Sequence, residues 1–288
     1  MDESLNNLTL KQADLYILIL ESQGVEVDFE QRGDVFDIMV NEDKRSEAVY
    51  LIAEFYKENF KRENKNKPAL PPVKKTAIIS TVFVLAAIYF GSVYADNQRE
   101  IIMAYGASAL YVLNGEYYRI VTALMLHAGI AHLAGNVAGL LAFGIPVCTL
   151  AGSGAGLLLL ILSGAAGNLV NAYMYRTAHL SIGASTSVMG AAGILVAFQT
   201  AKKLKFSGIT PRTLIPLGAG AALLGMLSGG ENTDISAHFF GFIAGIVFGF
   251  IFSFFQKREK YSKNSNQIDT YCLSFALAII IISWLKLI

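Results

Sequence analysis

Seven apolar stretches constrain this chain more than any other feature, at roughly 76–94, 130–150, 155–174, 184–201, 213–229, 236–256 and 270–287. Each is close to the ~20 residues a helix needs to cross the hydrocarbon of a bilayer. The fourth and fifth are the shortest and are accepted partly because their flanks fit. Composition points the same way: 54% of the 288 residues are hydrophobic, only 16% are charged, and the mean hydropathy is +0.48. The expected fold class is an all-α polytopic membrane protein.

The net charge of +1 hides an asymmetry. Residues 1–58 carry 14 acidic and 5 basic side chains, whereas residues 61–75 carry 6 basic and 1 acidic. An acidic head of this kind is a poor ligand for nucleic acid or for an anionic membrane surface. With a cytoplasmic N-terminus, the inner side receives fourteen Lys and Arg, among them Lys202, Lys203, Lys205, Arg212, Lys257, Arg258, Lys260 and Lys263. The outer side receives four: Arg99, Arg119, Arg176 and Lys286. The positive-inside rule then places the N-terminus in the cytoplasm of a cell with a cytoplasmic membrane, and the C-terminus outside. The start Met1-Asp2-Glu3-Ser4 has no basic segment followed by a short apolar core, so no cleavable signal peptide is expected.

The first 60 residues read as a small soluble α+β module. Helical periodicity over Leu8 to Glu21 offers Leu10, Leu15, Ile17 and Leu18 for one face. Val25 to Phe29 alternates, Gly33-Asp34 punctuates, and Val35 to Val40 resumes as a strand. A second helix from about Asp43 to Tyr56 carries Ala48, Leu51, Ile52 and Phe55 as its stripe. Residues 61–75, with Pro68, Pro71 and Pro72, read as a stiff basic linker. Cys148 and Cys272 both fall in apolar spans, which suits small buried hydrophobes better than a disulfide or a thiolate metal site.

In this topology the second, fourth and sixth spans run inward from the outer surface, and each begins with polar residues. His132 and Asn136 share one helical face, His127 belongs to the approach, Ser185 follows the turn Gly183-Ala184, and His238 follows Asp234 by four. At ~1.5 Å per residue His132, Asn136, Ser185 and His238 fall within about the first 10 Å of depth. A serine at a helix start is ordinarily an N-cap and a lone histidine ordinarily a core residue. Their shared depth instead suggests hydrolysis inside a bilayer, since polar groups there are costly. Gly241, Gly245 and Gly249 lie on the face of His238 and would admit a neighbouring helix closely. Asp234 fits an N-cap better than a third catalytic member, leaving a Ser-His dyad. No His-Glu-x-x-His motif and no intramembrane acid accompanies the histidines, and His179 sits in a separate loop, so no metal is expected. His132 and Asn136 suit an oxyanion hole, together with the unpaired N–H groups of a first helical turn. The outer segment 95–126 holds apolar stretches too short to cross and reads as a partly embedded or interfacial loop. Within it Glu116 and Arg119 form an i, i+3 pair.

Together these residues resemble the rhomboid family of intramembrane serine proteases. The match covers roughly 76–256 through Gly115-Glu116-Tyr117-Tyr118-Arg119, His127-x4-His132-x3-Asn136, Ser163-Gly164-Ala165-Ala166-Gly167-Asn168, Gly183-Ala184-Ser185 and Ala237-His238-x2-Gly241-x3-Gly245. The resemblance implies a six-helix core over 76–257, with 258–288 adding a loop and a seventh span. It implies Ser185 as nucleophile, His238 as general base, and His132, Asn136 and the Ser185 backbone N–H as oxyanion donors. It further implies no cofactor, transmembrane protein substrates, and a lateral gate at about 213–235. Three departures stand out: Thr186 where glycine is usual, Met189 where an aromatic stacks on the imidazole, and Tyr118 for tryptophan. Two rival readings are a silent rhomboid-like protein that binds clients without cutting them and a transporter or channel. The first typically lacks the serine or the histidine, and the second would place its polar groups at mid-membrane.

Overall fold

The computed structural model describes residues 5–63, 73–177, 179–207, 211–227, 234–255 and 264–287. The chain divides into two compact units, Met1–Leu70 and Pro71–Ile288.

The first unit is helix, hairpin, helix: α1 (Leu10–Ser22), β1 (Val27–Arg32), β2 (Val35–Val40), a 3-10 turn (Glu42–Lys44) and α2 (Arg45–Glu63). The Gln12 amide oxygen accepts from the Thr9 N–H at 3.0 Å and so fixes where α1 begins. The strands pair antiparallel from Val27↔Val40 to Arg32↔Val35, turning at Gly33 with φ +66°. Ala48 and Ile52 are buried as the stripe of α2 requires, and of the expected α1 face Leu15 and Ile17 pack against the core while Leu10 and Leu18 do not. Leu10 and Leu18 are 57% and 66% exposed, while Ala13, Tyr16, Ile19 and Leu20 face the core. Hydrophobicity alone misses Ala13 and Tyr16, the latter packing edge-on against Tyr56. Helix α2 also continues through 61–63, into the segment read as linker.

The second unit contains α3 (Thr76–Tyr94), α4 (Gln98–Tyr105), β3 (Ala107–Ser108), α5 (Ala109–Leu113), α6 (Arg119–Thr122), α7 (Ile130–Gly139) and α8 (Ile145–Ala151). It continues with α9 (Ser153–Tyr175), β4 (Leu180–Ser181), α10 (Ser185–Ser207), α11 (Pro211–Leu227), α12 (Ile235–Phe255) and α13 (Asn264–Trp284). Among the described residues five helices are long and apolar enough to cross a membrane: Thr76–Tyr94, Ile130–Ala151, Ser153–Tyr175, Ile235–Phe255 and Asn266–Trp284. The protein is a multi-pass membrane protein of mostly helical fold. The fourth and fifth expected spans fall short by this measure. Helix α11 is 17 residues long and carries Pro216 inside it. Helix α10 has the length, at 23 residues, but is rich in Ser, Gly and Ala and ends in lysines. Its neighbours α9, α11 and α12 enclose it, so close packing of small residues replaces contact with lipid.

The second span is not a uniform helix. Between α7 and α8 lies a wide π turn, Leu140–Gly144. Pro146, at the start of α8, has no N–H to return to the preceding turn, which explains the widening there. In the outer segment, Ala109 and Val112 pack with Ala172, so one side of α5 buries against protein, while Met103 in α4 stays 58% exposed.

Helix α13 is fastened at both ends. The Asp269 carboxylate accepts the N–H groups of Ser153 (3.1 Å), Gly154 (2.9 Å) and Ala155 (3.0 Å), capping α9 from another helix. A Cβ on Gly152 or Gly154 would collide with Asp269, so the glycines make room for it. At the other end the Trp284 indole donates to Met125 Sδ at 3.1 Å and its ring lies 4.7 Å from that of Tyr105.

Candidate active site

Gly183 organises the approach to Ser185. Its φ of +117° favours glycine, and its N–H donates to the Ala123 carbonyl at 2.9 Å. A Cβ there would lie 2.6 Å from His132 Nε2 and 3.2 Å from Asn136 Nδ2. The two side chains of α7 therefore sit directly against the backbone two residues before Ser185. Asn136 is buried, and its Nδ2 has no hydrogen-bond partner among the described residues. His127, in the approach to α7, is 3% exposed and edge-on to His132, ring centroids 5.1 Å apart. Burial first, and then the His132 imidazole, push its pKa down to about 4 against the opposing pull of the Met125 carbonyl.

Ser185 is the first residue of α10, and its hydroxyl caps no N–H among the described residues. His238 is buried near the start of α12. The glycine strip of α12 lies on α10: a Cβ at Gly241 would meet the Thr186 carbonyl, and one at Gly245 the Gly190 carbonyl. Helix α9 joins them at Gly167, where a Cβ would lie 2.6 Å from Thr186 Cγ2 and 2.7 Å from the Gly241 nitrogen. Three helices thus converge within one residue of Ser185 and one turn of His238. No hydrogen bond links Ser185 to His238 among the described residues, and His238 Nδ1 is buried without a partner. Asp234 accepts the Ala237 N–H at 3.0 Å through Oδ1, as an N-cap does. Its Oδ2 meets His179 Nε2 at 2.7 Å and accepts from Asn171 Nδ2 at 2.8 Å.

The outer segment reaches this region through a ladder. Arg119, 5% exposed, pairs with Glu116 at 2.7 Å and donates through Nη1 to the carbonyls of Met103 (2.9 Å) and Gly106 (3.1 Å). Beside Gly106, Ala107 pairs with Ser181 and Ser108 with Leu180. The pair Glu116-Arg119 therefore supports the strand that leads into Gly183 and lies apart from the serine itself. Tyr118 donates to Glu116 at 2.6 Å; that bond, with Arg119 behind it, holds the carboxyl below its usual range against partial burial.

Two of the departures have structural answers. The Thr186 hydroxyl donates to Asn168 Oδ1 at 3.1 Å, and Asn168 Nδ2 donates to the Ile120 carbonyl at 2.9 Å. Gly167 leaves space for the Thr186 methyl, so the β-branched residue is used as a tie. Met189 packs in an apolar cluster with Ala192, Val196 and Phe242. Among the described residues no three His, Cys, Asp or Glu side chains are grouped to hold a metal. The proposed gate lies partly outside the described residues, at 228–233. His179, Asn171 and Asp269 escape sequence reading, since each finds its partner only across the fold.

A Rhomboid domain matches residues 114–255. The chain is 31% identical over 170 residues to rhomboid protease GluP of Bacillus subtilis, covering 57% of this chain and 31% of that protein. It is 28% identical over 151 residues to YdcA of the same bacterium, covering 52% of this chain and 74% of YdcA. Rhomboid-like protease 3 of Toxoplasma gondii is 32% identical over 155 residues, covering 54% and 59%. The chain thus spans less than a third of the length of GluP. By its domain at 114–255 and these relatives, the chain belongs to the rhomboid family.

Proposed function

We propose that this chain is an intramembrane serine endopeptidase acting on transmembrane segments of other membrane proteins. Ser185 Oγ attacks the scissile carbonyl carbon while His238 takes the hydroxyl proton. His238 then returns that proton to the amine nitrogen as the C–N bond breaks, leaving an ester on Ser185. Water, deprotonated by the same imidazole, releases the new carboxylate and restores the serine. His132, Asn136 and the Ser185 N–H donate to the developing oxyanion.

One observation carries the reading: His132 and the unpaired Asn136 amide press on Gly183, while Thr186 and Gly241 touch just inward of Ser185 and His238. A buried donor without a partner is costly, so its retention has an explanation if it serves a charge that forms only during reaction. The positive-inside count supports a cytoplasmic N-terminus with the reacting groups facing outward. Both reacting residues are present, which argues against a silent client-binding relative.

The test is hydrolysis of a fluorogenic transmembrane peptide by the full chain in proteoliposomes. Wild-type protein should turn it over, and Ser185→Ala and His238→Ala should each lose at least ~1,000-fold. Hydrolysis unchanged in Ser185→Ala would overturn the assignment.

A further inference from the structure

The segment that delivers Ser185 and the helix that carries His238 are joined by a contact outside the reacting groups. His179 stands six residues before Ser185, and Asp234 four before His238. His179 Nε2 lies 2.7 Å from Asp234 Oδ2, which also accepts from Asn171 Nδ2 of α9 at 2.8 Å. The His179 ring stacks on Tyr175, centroids 3.8 Å apart and 9° from parallel, and its carbonyl accepts the Ala109 N–H at 2.8 Å. The other Asp234 oxygen accepts from Ser236 at 2.8 Å and from the Ala237 N–H. One carboxylate thus divides its two oxygens: one fixes the start of α12, and the other fixes that start to the nucleophile's own strand and to α9.

We propose that His179 and Asp234 form a positioning clasp that sets the register between the two reacting side chains. The proposal rests on the reading of Ser185 and His238 as the reacting pair. His238 Nδ1 has no partner of its own, so no direct hydrogen bond orients the imidazole. Its placement depends on where α12 begins, and the clasp fixes that point relative to the strand β4 and Gly183. The contact is a charge-assisted one on a carboxylate that is only 17% exposed, which gives it the stiffness the role requires. Displacements of about 1 Å in such an arrangement can cost on the order of 100-fold in rate.

Two substitutions separate the clasp from the cap and the stack. His179→Phe keeps an aromatic ring over Tyr175 but removes the ring N–H. Asp234→Ser keeps an N-cap hydroxyl but cannot reach His179. With the full chain in proteoliposomes and activity expressed per folded molecule, each should lower kcat about tenfold with KM unchanged, and slow fluorophosphonate labelling in parallel. The double variant should lose no more than Asp234→Ser alone, because that substitution already removes the His179 contact together with the Asn171 one. His179→Gln, which can present an N–H to the carboxylate, should recover most of kcat. Wild-type kcat in either single variant, or losses that multiply in the double, would overturn the clasp while leaving the dyad standing. Losses that vanish once unfolded protein is discounted would overturn it too. A wild type that the reagent fails to label would overturn both the dyad reading and the clasp.

Discussion

His127 and Asn136 show how far the site departs from ordinary burial. Each is enclosed, and each leaves nitrogen atoms without a partner among the described residues. For His127 the consequence is measurable, because burial holds its imidazole neutral down to about pH 4. In the unfolded chain the ring protonates near its ordinary value of about 6.5. Below that pH the unfolded state binds a proton that the native state refuses, so stability is full above about pH 6.5 and falls as the pH drops toward 4. The loss should reach about 3 kcal/mol at pH 4, and His127→Phe should flatten that slope. Unfolding in detergent followed at pH 7, 5.5 and 4 checks this. An identical slope in the variant would show that the acid sensitivity lies elsewhere. Gly183 is the counterpart in backbone terms, where both φ and the neighbouring His132 ring require the missing side chain.

At the level of elements, the sequence was legible where periodicity met composition and opaque where partners came from afar. The first, third and sixth spans are helices within two residues of their expected bounds, the seventh begins six residues earlier than expected, and the N-terminal helix-hairpin-helix follows from alternation and turn residues. The π turn before Pro146 and the burial of Ala13 and Tyr16 in α1 were not legible, because each is decided by what packs against it. The same holds for Asp269, a lone acid at the edge of an apolar span. Its role is visible only once α13 lies across the start of α9, where Gly152 and Gly154 leave space for it. That cap gives a prediction. Asp269→Ala leaves three first-turn N–H groups of α9 without their carboxylate and should cost about 1–3 kcal/mol. Asp269→Asn, which keeps an acceptor oxygen, should cost less. Thermal or detergent unfolding of the two variants measures the difference, and equal stability of Asp269→Ala and wild type would refute the cap.

For the molecule as a whole, the site is assembled by helices whose ends meet rather than by any one motif. His132 and Asn136 arrive on α7, Ser185 on α10 and His238 on α12, with α9 threading between through Gly167 and Asn168. The sequence carried the residue types and the apolar spans that bear them. It did not carry the ladder from Glu116 and Arg119 to Ser181, nor the contact of His179 with Asp234, because strand pairing and loop packing set those. The central claim is that the Ser185 hydroxyl is activated by His238 at this convergence. The most direct measurement is the site of a fluorophosphonate adduct, located by mass spectrometry of the digested full-length protein. The adduct should sit on Ser185, be absent in Ser185→Ala, and form at least ~100-fold more slowly in His238→Ala. An adduct on another residue, or labelling of His238→Ala at the wild-type rate, would contradict it.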